Sequence, residues 1–572
     1  MEKLHPVQRF WRLLKPDSRE IRNIYVYSIF IGLVNLSLPL GIQAIVNLIQ
    51  GGQINTAWVV LVIIVVIGVL VTGILQISQL RITENLQQKI FARASLEFAY
   101  RIPQIKMEAL YKHYAPELMN RFFDVINVQK GLPKLLIDFS MAILQVFFGL
   151  ILLSFYHPFF ILFSLLLILL AYLFFRLTAN AGLKTSLKES KYKYEVAHWL
   201  EEVARTHKTF KLAGNTDLHL QNADKRSGDY LEARESHFSI LVRQYYLMVL
   251  FKVLIVTGLL AIGGILVMEQ QMNIGQFVAA EIIILLIMTS AEKLILSLET
   301  IYDILTGLEK IGQVTDMELE AKQGISVNGS DEKKGMEVIL DSVSFWYPES
   351  HSKVLSDISI ALNPGKKVVI TGKNGSGKST LLQVVAGLFD VQEGSITYNG
   401  LPKGNLDIGS LRSSFGDCFR EELLFEGTVI ENITMNRTST DFERVKSVVE
   451  RLGLDQFVKS LSHGYDTRLD PQGRRLPRSI VQKLLIARAT AHSPKLMLVE
   501  DILEVFDGED KQKIVDYLMD DQSPWTLVAV TSDPLMAKKS DKIVVMDRGK
   551  IIREGSFEEL KNYQDLNIYP NA

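Results

Sequence analysis

Six apolar stretches, each near the roughly 17 to 25 residues that a helix needs to cross a hydrocarbon core of about 30 Å, constrain this chain more than anything else in it. They lie at 24–49, 57–80, 137–155, 158–175, 245–268 and 274–290. In lipid, a spanning segment must satisfy its own backbone hydrogen bonds, so the N-terminal half reads as six membrane helices. Internal Pro39 is compatible with that reading, because neighbouring helices can satisfy the groups it frees. Mean hydropathy is +0.17 although 22% of residues are charged, so apolar and charged residues are segregated along the chain.

The connections set the orientation, because inward loops accumulate Lys and Arg. Nine such residues lie between Arg81 and Lys134, and twelve between Arg176 and Arg243. The short connections at 51–56, 156–157 and 269–273 contain none. Two long loops therefore face the cytoplasm, and an even number of spans puts both termini there as well. Those loops carry apolar residues at helical spacing, as in 82–102 and 188–214, so the helices are expected to continue out of the membrane. The N-terminus is charged and amphipathic, with no short apolar core before a small-residue cleavage site, and reads as lacking a cleaved signal peptide. A net charge of −1 gives no reason to expect a nucleic-acid partner, and the single cysteine, Cys418, excludes an intrachain disulfide.

Beyond Glu299 the pattern loosens. The polar segment 321–336 reads as a linker, dividing a membrane domain (1–320) from a second domain (337–565). There, strand-like runs such as KKVVITG, KLMLVE and TLVAVTS alternate with helix-like ones, which argues for a largely parallel sheet. The most specific motif follows the first of these runs. GKNGSGKS, Gly372 to Ser379, fits a phosphate-binding loop between a strand and a helix. Its glycines, Gly372, Gly375 and Gly377, let the backbone approach phosphates closely, and the amides of Asn374 and Ser376 with the helix N-terminus make a nest for anions. Lys378 would reach the β and γ phosphates, Ser379 would ligate Mg²⁺, and Thr380 could add an α-phosphate contact.

Six spans with long inner loops, this phosphate loop, and LFEGTVIENI at 424–433 together resemble the ABC exporter family along the whole chain. The resemblance implies an α-helical membrane domain whose six helices extend into the cytoplasm, followed by an α/β P-loop NTPase domain of ABC type. It implies ATP and Mg²⁺ as ligands, Tyr347 in VSFWYP as the residue that stacks on adenine, and coupling helices near Lys112–Leu118 and Glu201–Phe210. It also implies a multi-pass location in the plasma or inner membrane.

Five positions depart from that family. The usual metal-contacting Gln is Arg420; the usual LSGGQ motif reads Leu476, Pro477, Arg478, Ser479 and Ile480; and the usual histidine is Ser532. The usual Asp-Glu pair is reversed to Glu500 and Asp501. Glu500 could still hold Mg²⁺. Asp501 is one methylene short of the usual water-positioning carboxylate, and a displacement of about 1 Å can cost on the order of a hundredfold in rate. The expectation is an ATP-binding exporter subunit that hydrolyses weakly alone and works with a second half-transporter, a heterodimer being favoured over a homodimer. The alternative is an ATP-binding, non-hydrolysing regulatory or gated membrane module. The substrate is not specified by the sequence. In the membrane domain, Glu281 is the candidate substrate-path residue, Lys252 is expected to reach for the cytoplasmic surface, and Glu292 and Lys293 mark the inner end of the sixth span.

Overall fold

The computed structural model describes residues 5–50, 56–322, 324–327, 335–350, 352–438 and 440–561. The connection at 51–55 and half of the expected linker (323 and 328–334) lie outside these residues. The chain forms two compact units: residues up to Pro103 with His113–Met317, and Gln104–Lys112 with Glu318 onward.

The first unit is helical. Its spanning helices are α1 (Ser18–Gln50), α2 (Thr56–Arg101), α3 (Ser140–Ser154), α4 (Pro158–Arg205), α5 (Leu218–Gly258) and α6 (Ile274–Thr315). Six are long and apolar enough to cross a membrane once the helical segments leading into α3 from Ala115 are counted with it. At 1.5 Å per residue the 48 residues of α4 reach about 72 Å, more than twice a hydrocarbon core, so the long connection after the fourth span begins as a continuation of its helix, as the sequence predicts. The most apolar window of α2 is only 6% buried, which suits a helix whose surroundings are lipid or another chain.

Polar side chains fasten the helices where apolar burial cannot discriminate one helix from lipid. Gln79 on α2 donates to the Ile24 carbonyl (2.9 Å) and to the Ser28 hydroxyl (2.7 Å) on α1. Gln244 on α5 donates to the Tyr302 hydroxyl on α6 at 2.9 Å. Lys252 has a partner that the sequence does not reveal: it pairs with Glu292 across α5 and α6 at 2.7 Å. The rotation of two helices that brings these residues together is invisible in either one. Glu281 is exposed on α6 and forms no ion pair among the described residues.

The second unit is built mainly on two sheets and also holds a two-stranded ribbon pairing 427–428 with 468–469. An antiparallel one places β1 (Val338–Phe345) between β2 (Leu355–Leu362) and β4 (Glu393–Tyr398). The other has the order β9-β8-β3-β7-β6-β5, built from β3 (Lys367–Gly372), β5 (Phe415–Cys418), β6 (Leu496–Glu500), β7 (Thr526–Val530), β8 (Lys542–Asp547) and β9 (Lys550–Gly555). All its pairings are parallel except β8–β9. Strands β3, β6 and β7 are buried at every position, as expected of parallel strands covered on both faces. The first half of the segment read as a linker is already docked here: the Ile325 amide donates to the Asn405 carbonyl (2.8 Å), and the Val327 amide to the Ser410 hydroxyl (2.9 Å).

Candidate nucleotide site

In a parallel sheet the carboxyl ends of the strands and the helix N-termini beyond them form a crevice suited to anionic ligands. Strand β3 ends at Gly372, and the loop 373–377 leads into helix α7 (Lys378–Val385). Gly372 is obligatory: φ is +144°, and a Cβ there would lie 2.1 Å from the Met546 carbonyl oxygen of β8. At Gly375, φ is +78° and nothing stands within 4 Å of the Cβ position, so the loop presents an open backbone face. The Lys378 ammonium donates to the Gly372 and Lys373 carbonyls at 2.8 and 2.9 Å. Burial pushes its pKa down, against the opposing pull of Asp501 and Glu500. The Ser376 hydroxyl is buried without a partner among the described residues, and Ser379 and Asn374 are exposed. An orphaned hydroxyl, open amides and an ammonium held only by carbonyls fit a phosphate-bearing ligand.

The neighbouring strands bring the remaining residues to the same end of the sheet. Ile370, Glu500 and Val530 share one register across β3, β7 and β6. Glu500 is 8% exposed. Asp501, immediately after β6, adopts a left-handed φ of +46°, and its amide donates to the Val530 carbonyl at 2.9 Å. Burial, with Glu504 and Glu500 adding to it, raises the Asp501 pKa, while the Arg420 and Lys378 charges pull it down. Arg420 therefore acts electrostatically on the carboxylate beside the phosphate loop. Ser532 is half-buried in the turn after β7. The segment Leu476 to Ile480 is elsewhere in the unit, where Pro477 caps helix α8 (Arg478–Thr490), with Pro477 and Arg478 exposed.

Tyr347 follows β1 and is anchored on α7: its hydroxyl shares a 2.9 Å hydrogen bond with that of Thr380, which is buried. The rings of Phe345 and Phe389 meet it edge-on at 5.1 and 5.5 Å. One face is covered by Tyr111, stacked with 5.1 Å between centroids and 13° between planes. Sequence reasoning missed Tyr111, and no local signal could have found it, because it is 236 positions away. It belongs to the segment 104–112, which is stitched into the second unit. Glu108 accepts from the Asp390 amide (2.7 Å), Lys106 pairs with Glu318 (2.6 Å), and Lys112 pairs with Glu349.

This corrects the first expected coupling element. The docked helix is Met107–Leu110, upstream of Lys112–Leu118, and a separate helix begins at Ala115. Pro116 lacks an amide donor and is tolerated only in a first turn, so no helix runs through from Lys112. In the second loop the long helix α4 ends at Arg205, and a six-residue helix, His207–Leu212, overlaps the end of the expected range.

Two family profiles match the chain: the ABC transporter transmembrane region over residues 21–291, and the ABC transporter domain over residues 355–503. With the fold and the phosphate loop, these make the chain an ABC half-transporter, an integral membrane domain fused to an ABC nucleotide-binding domain. It is 30% identical over 251 residues to a putative multidrug export ATP-binding/permease protein of Staphylococcus aureus, covering 43% of each chain. It is 26% identical over 344 residues to the cyclolysin secretion/processing ATP-binding protein of Bordetella pertussis, covering 59% of this chain and 47% of that one. Each match thus spans less than half of the relative's length. In fold the chain is similar to the structure of a bacterial Atm1-family ABC exporter with ATP bound, with a TM-score of 0.84, 17% identity, and coverage of 96% of this chain and 97% of that one.

Proposed function

We propose that this chain is the ATP-binding subunit of an ABC-type exporter. It would couple MgATP binding, and hydrolysis completed with a partner half-transporter, to translocation of a substrate across the membrane, with the nucleotide-binding domain and both termini in the cytoplasm. The relatives' roles in multidrug export and secretion support export as the direction.

The observation that carries the reading is a complete phosphate loop set among replaced catalytic groups. Gly372 to Thr380 would hold the phosphates, Tyr347 the base, and Ser379 with Glu500 the Mg²⁺, which when bound neutralises phosphate charge. Asp501 is short for positioning water and is biased by burial toward its neutral form. Ser532 offers a hydroxyl where a cationic imidazole would contact the γ-phosphate, and Arg420 cannot ligate a metal. Pro477 lacks an amide donor at the segment that would face a partner's nucleotide. A homodimer would carry these replacements in both sites. A partner with intact elements would restore the LSGGQ half of one site and all but that half of the other, so a heterodimer is the active form.

The test is ATP turnover and MgATP affinity of the full chain in lipid, alone and with an intact half-transporter, each compared with Lys378→Ala. The expected result is tight, Lys378-dependent binding with turnover only when the partner is present. Lys378-dependent turnover by the chain alone would overturn it. Binding without turnover in either setting would favour a non-hydrolysing regulatory module, the reading that Arg420 beside Asp501 supports.

A further inference from the structure

A charged cavity in the first unit is lined by none of the nucleotide-site residues. It encloses about 970 Å³ between the cytoplasmic extensions of α4 and α6 and the helical segments before α3, with Arg226 of α5 on its wall. Three carboxylates line it, and each is already engaged. Glu117 pairs with Arg121 at 2.9 Å and lies 3.6 Å from His198; Glu195 pairs with Lys191 at 3.7 Å; Glu309 lies 3.6 Å from Arg9. Of the lining cations, Lys184, Lys310 and Arg226 form no ion pair among the described residues. Arg226 donates only to the Asn222 carbonyl and side-chain oxygen, at 3.3 and 3.1 Å.

Two of the lining cations are more than nine-tenths buried. Lys310 is 6% exposed, and its ammonium stands 5.4 Å from the centre of the Tyr194 ring. Arg121 is 8% exposed and lies over the same ring at 3.7 Å; its Nη1 is buried with no hydrogen-bond partner among the described residues. A buried ammonium without an ion pair, and a buried guanidinium N–H without an acceptor, are both costly to leave unmatched. Positive charge facing a cavity with every lining carboxylate spent is the electrostatic complement of an anion.

We propose that this cavity binds a small, water-soluble polyanion carrying two or three negative charges, a polycarboxylate or an organic phosphate, held by Lys184, Arg226 and Lys310 with the free Nη1 of Arg121. An acidic lipid headgroup offers the same chemistry, but position disfavours it. Lys184 is nine residues past Phe175, where the fourth apolar run ends, and Lys310 is twenty past Ser290, the end of the sixth. At 1.5 Å per residue these are about 13 and 30 Å beyond the hydrocarbon core. The site does not depend on how the chain handles nucleotide.

The test uses the full chain carrying Lys378→Ala, which silences the phosphate loop, in nanodiscs of neutral lipid, with citrate titrated calorimetrically at low and high salt. Saturable binding is expected, about tenfold weaker in 0.3 M salt than in 0.03 M, because screening shortens the reach of the charges. Lys184→Gln should weaken it about fivefold and Lys310→Met about tenfold, while Lys191→Gln, whose charge is already paired, should change it by less than about twofold. Lys184 is exposed, so its variant remains informative if Lys310→Met fails to fold. Absence of citrate binding, or binding indifferent to Lys184 and Lys310, would overturn the proposal. Loss of citrate binding on moving to nanodiscs rich in anionic lipid would also overturn it, assigning the cations to a headgroup instead.

Discussion

At the scale of single residues, Tyr111 and Tyr347 make the most direct prediction. A base stacked on an aromatic ring gains about 1–3 kcal/mol, so Tyr347→Ala should weaken ATP binding by about tenfold or more in a fluorescent-nucleotide titration. Tyr111 occupies one face of that ring, and aromatic pairs are worth about 0.5–1.5 kcal/mol beyond their burial. If the base takes the same face, Tyr111→Ala tightens binding by about two- to tenfold. Weaker binding instead would make Tyr111 a second wall of the base site. Asp501 makes a prediction in pH. Its pKa in the fold is raised above the ordinary 3.8, so the unfolded chain releases this proton at a lower pH than the folded one. The stability that Asp501 contributes is therefore full below its unfolded pKa and is lost as pH rises through the raised folded value. Thermal unfolding of the nucleotide-free protein should fall less steeply over that window in Asp501→Asn than in the parent. Parallel curves would show that Asp501 titrates normally.

At the scale of elements, the turn between β3 and α7 is over-determined. Gly372→Ala would drive a methyl into the backbone of β8, 2.1 Å from a carbonyl oxygen, in a conformation that alanine rarely adopts. The expected cost is about 2–4 kcal/mol, read as a lower unfolding midpoint in urea and not merely as lost ATP binding. Such elements were legible in the sequence because their determinants are local: a buried β-branched run, a glycine-rich turn, a lysine and hydroxyl opening a helix. The six spans were legible for the same reason, since length and hydropathy are properties of one segment. What escaped was everything that depends on two segments meeting. The Lys252–Glu292 pair requires the relative rotation of α5 and α6, and the stack on Tyr347 requires the fold of a loop that precedes it by more than two hundred residues. The misplaced docking helix has a milder cause: the weight of Pro116 as a helix starter was available in the sequence.

At the scale of the whole molecule, the replaced positions Arg420, Pro477, Asp501 and Ser532 are scattered over 113 positions of sequence, and all but the Pro477 segment gather at the carboxyl edge of one sheet. If the chain works as half of an asymmetric pair, restoring its own elements should matter at only one of two sites. Arg420→Gln combined with Ser532→His should raise turnover in the presence of a partner with an intact LSGGQ segment. It should do little for this chain alone, where Pro477 of a second copy completes the site. Equal gains in both settings would argue for a self-sufficient homodimer.

The nine residues from Gln104 to Lys112 belong by chain position to the helical half and by packing to the nucleotide half. A line drawn through the sequence at the linker is therefore not a line through the molecule. A fragment cut there would carry away the phosphate loop with the Tyr347 ring face bare, Glu349 without Lys112 and the Asp390 amide without Glu108. Nucleotide affinities measured on such a fragment would describe a site the intact chain never presents. Supplying 104–112 as a separate peptide would be the simplest way to measure how much the missing patch contributes.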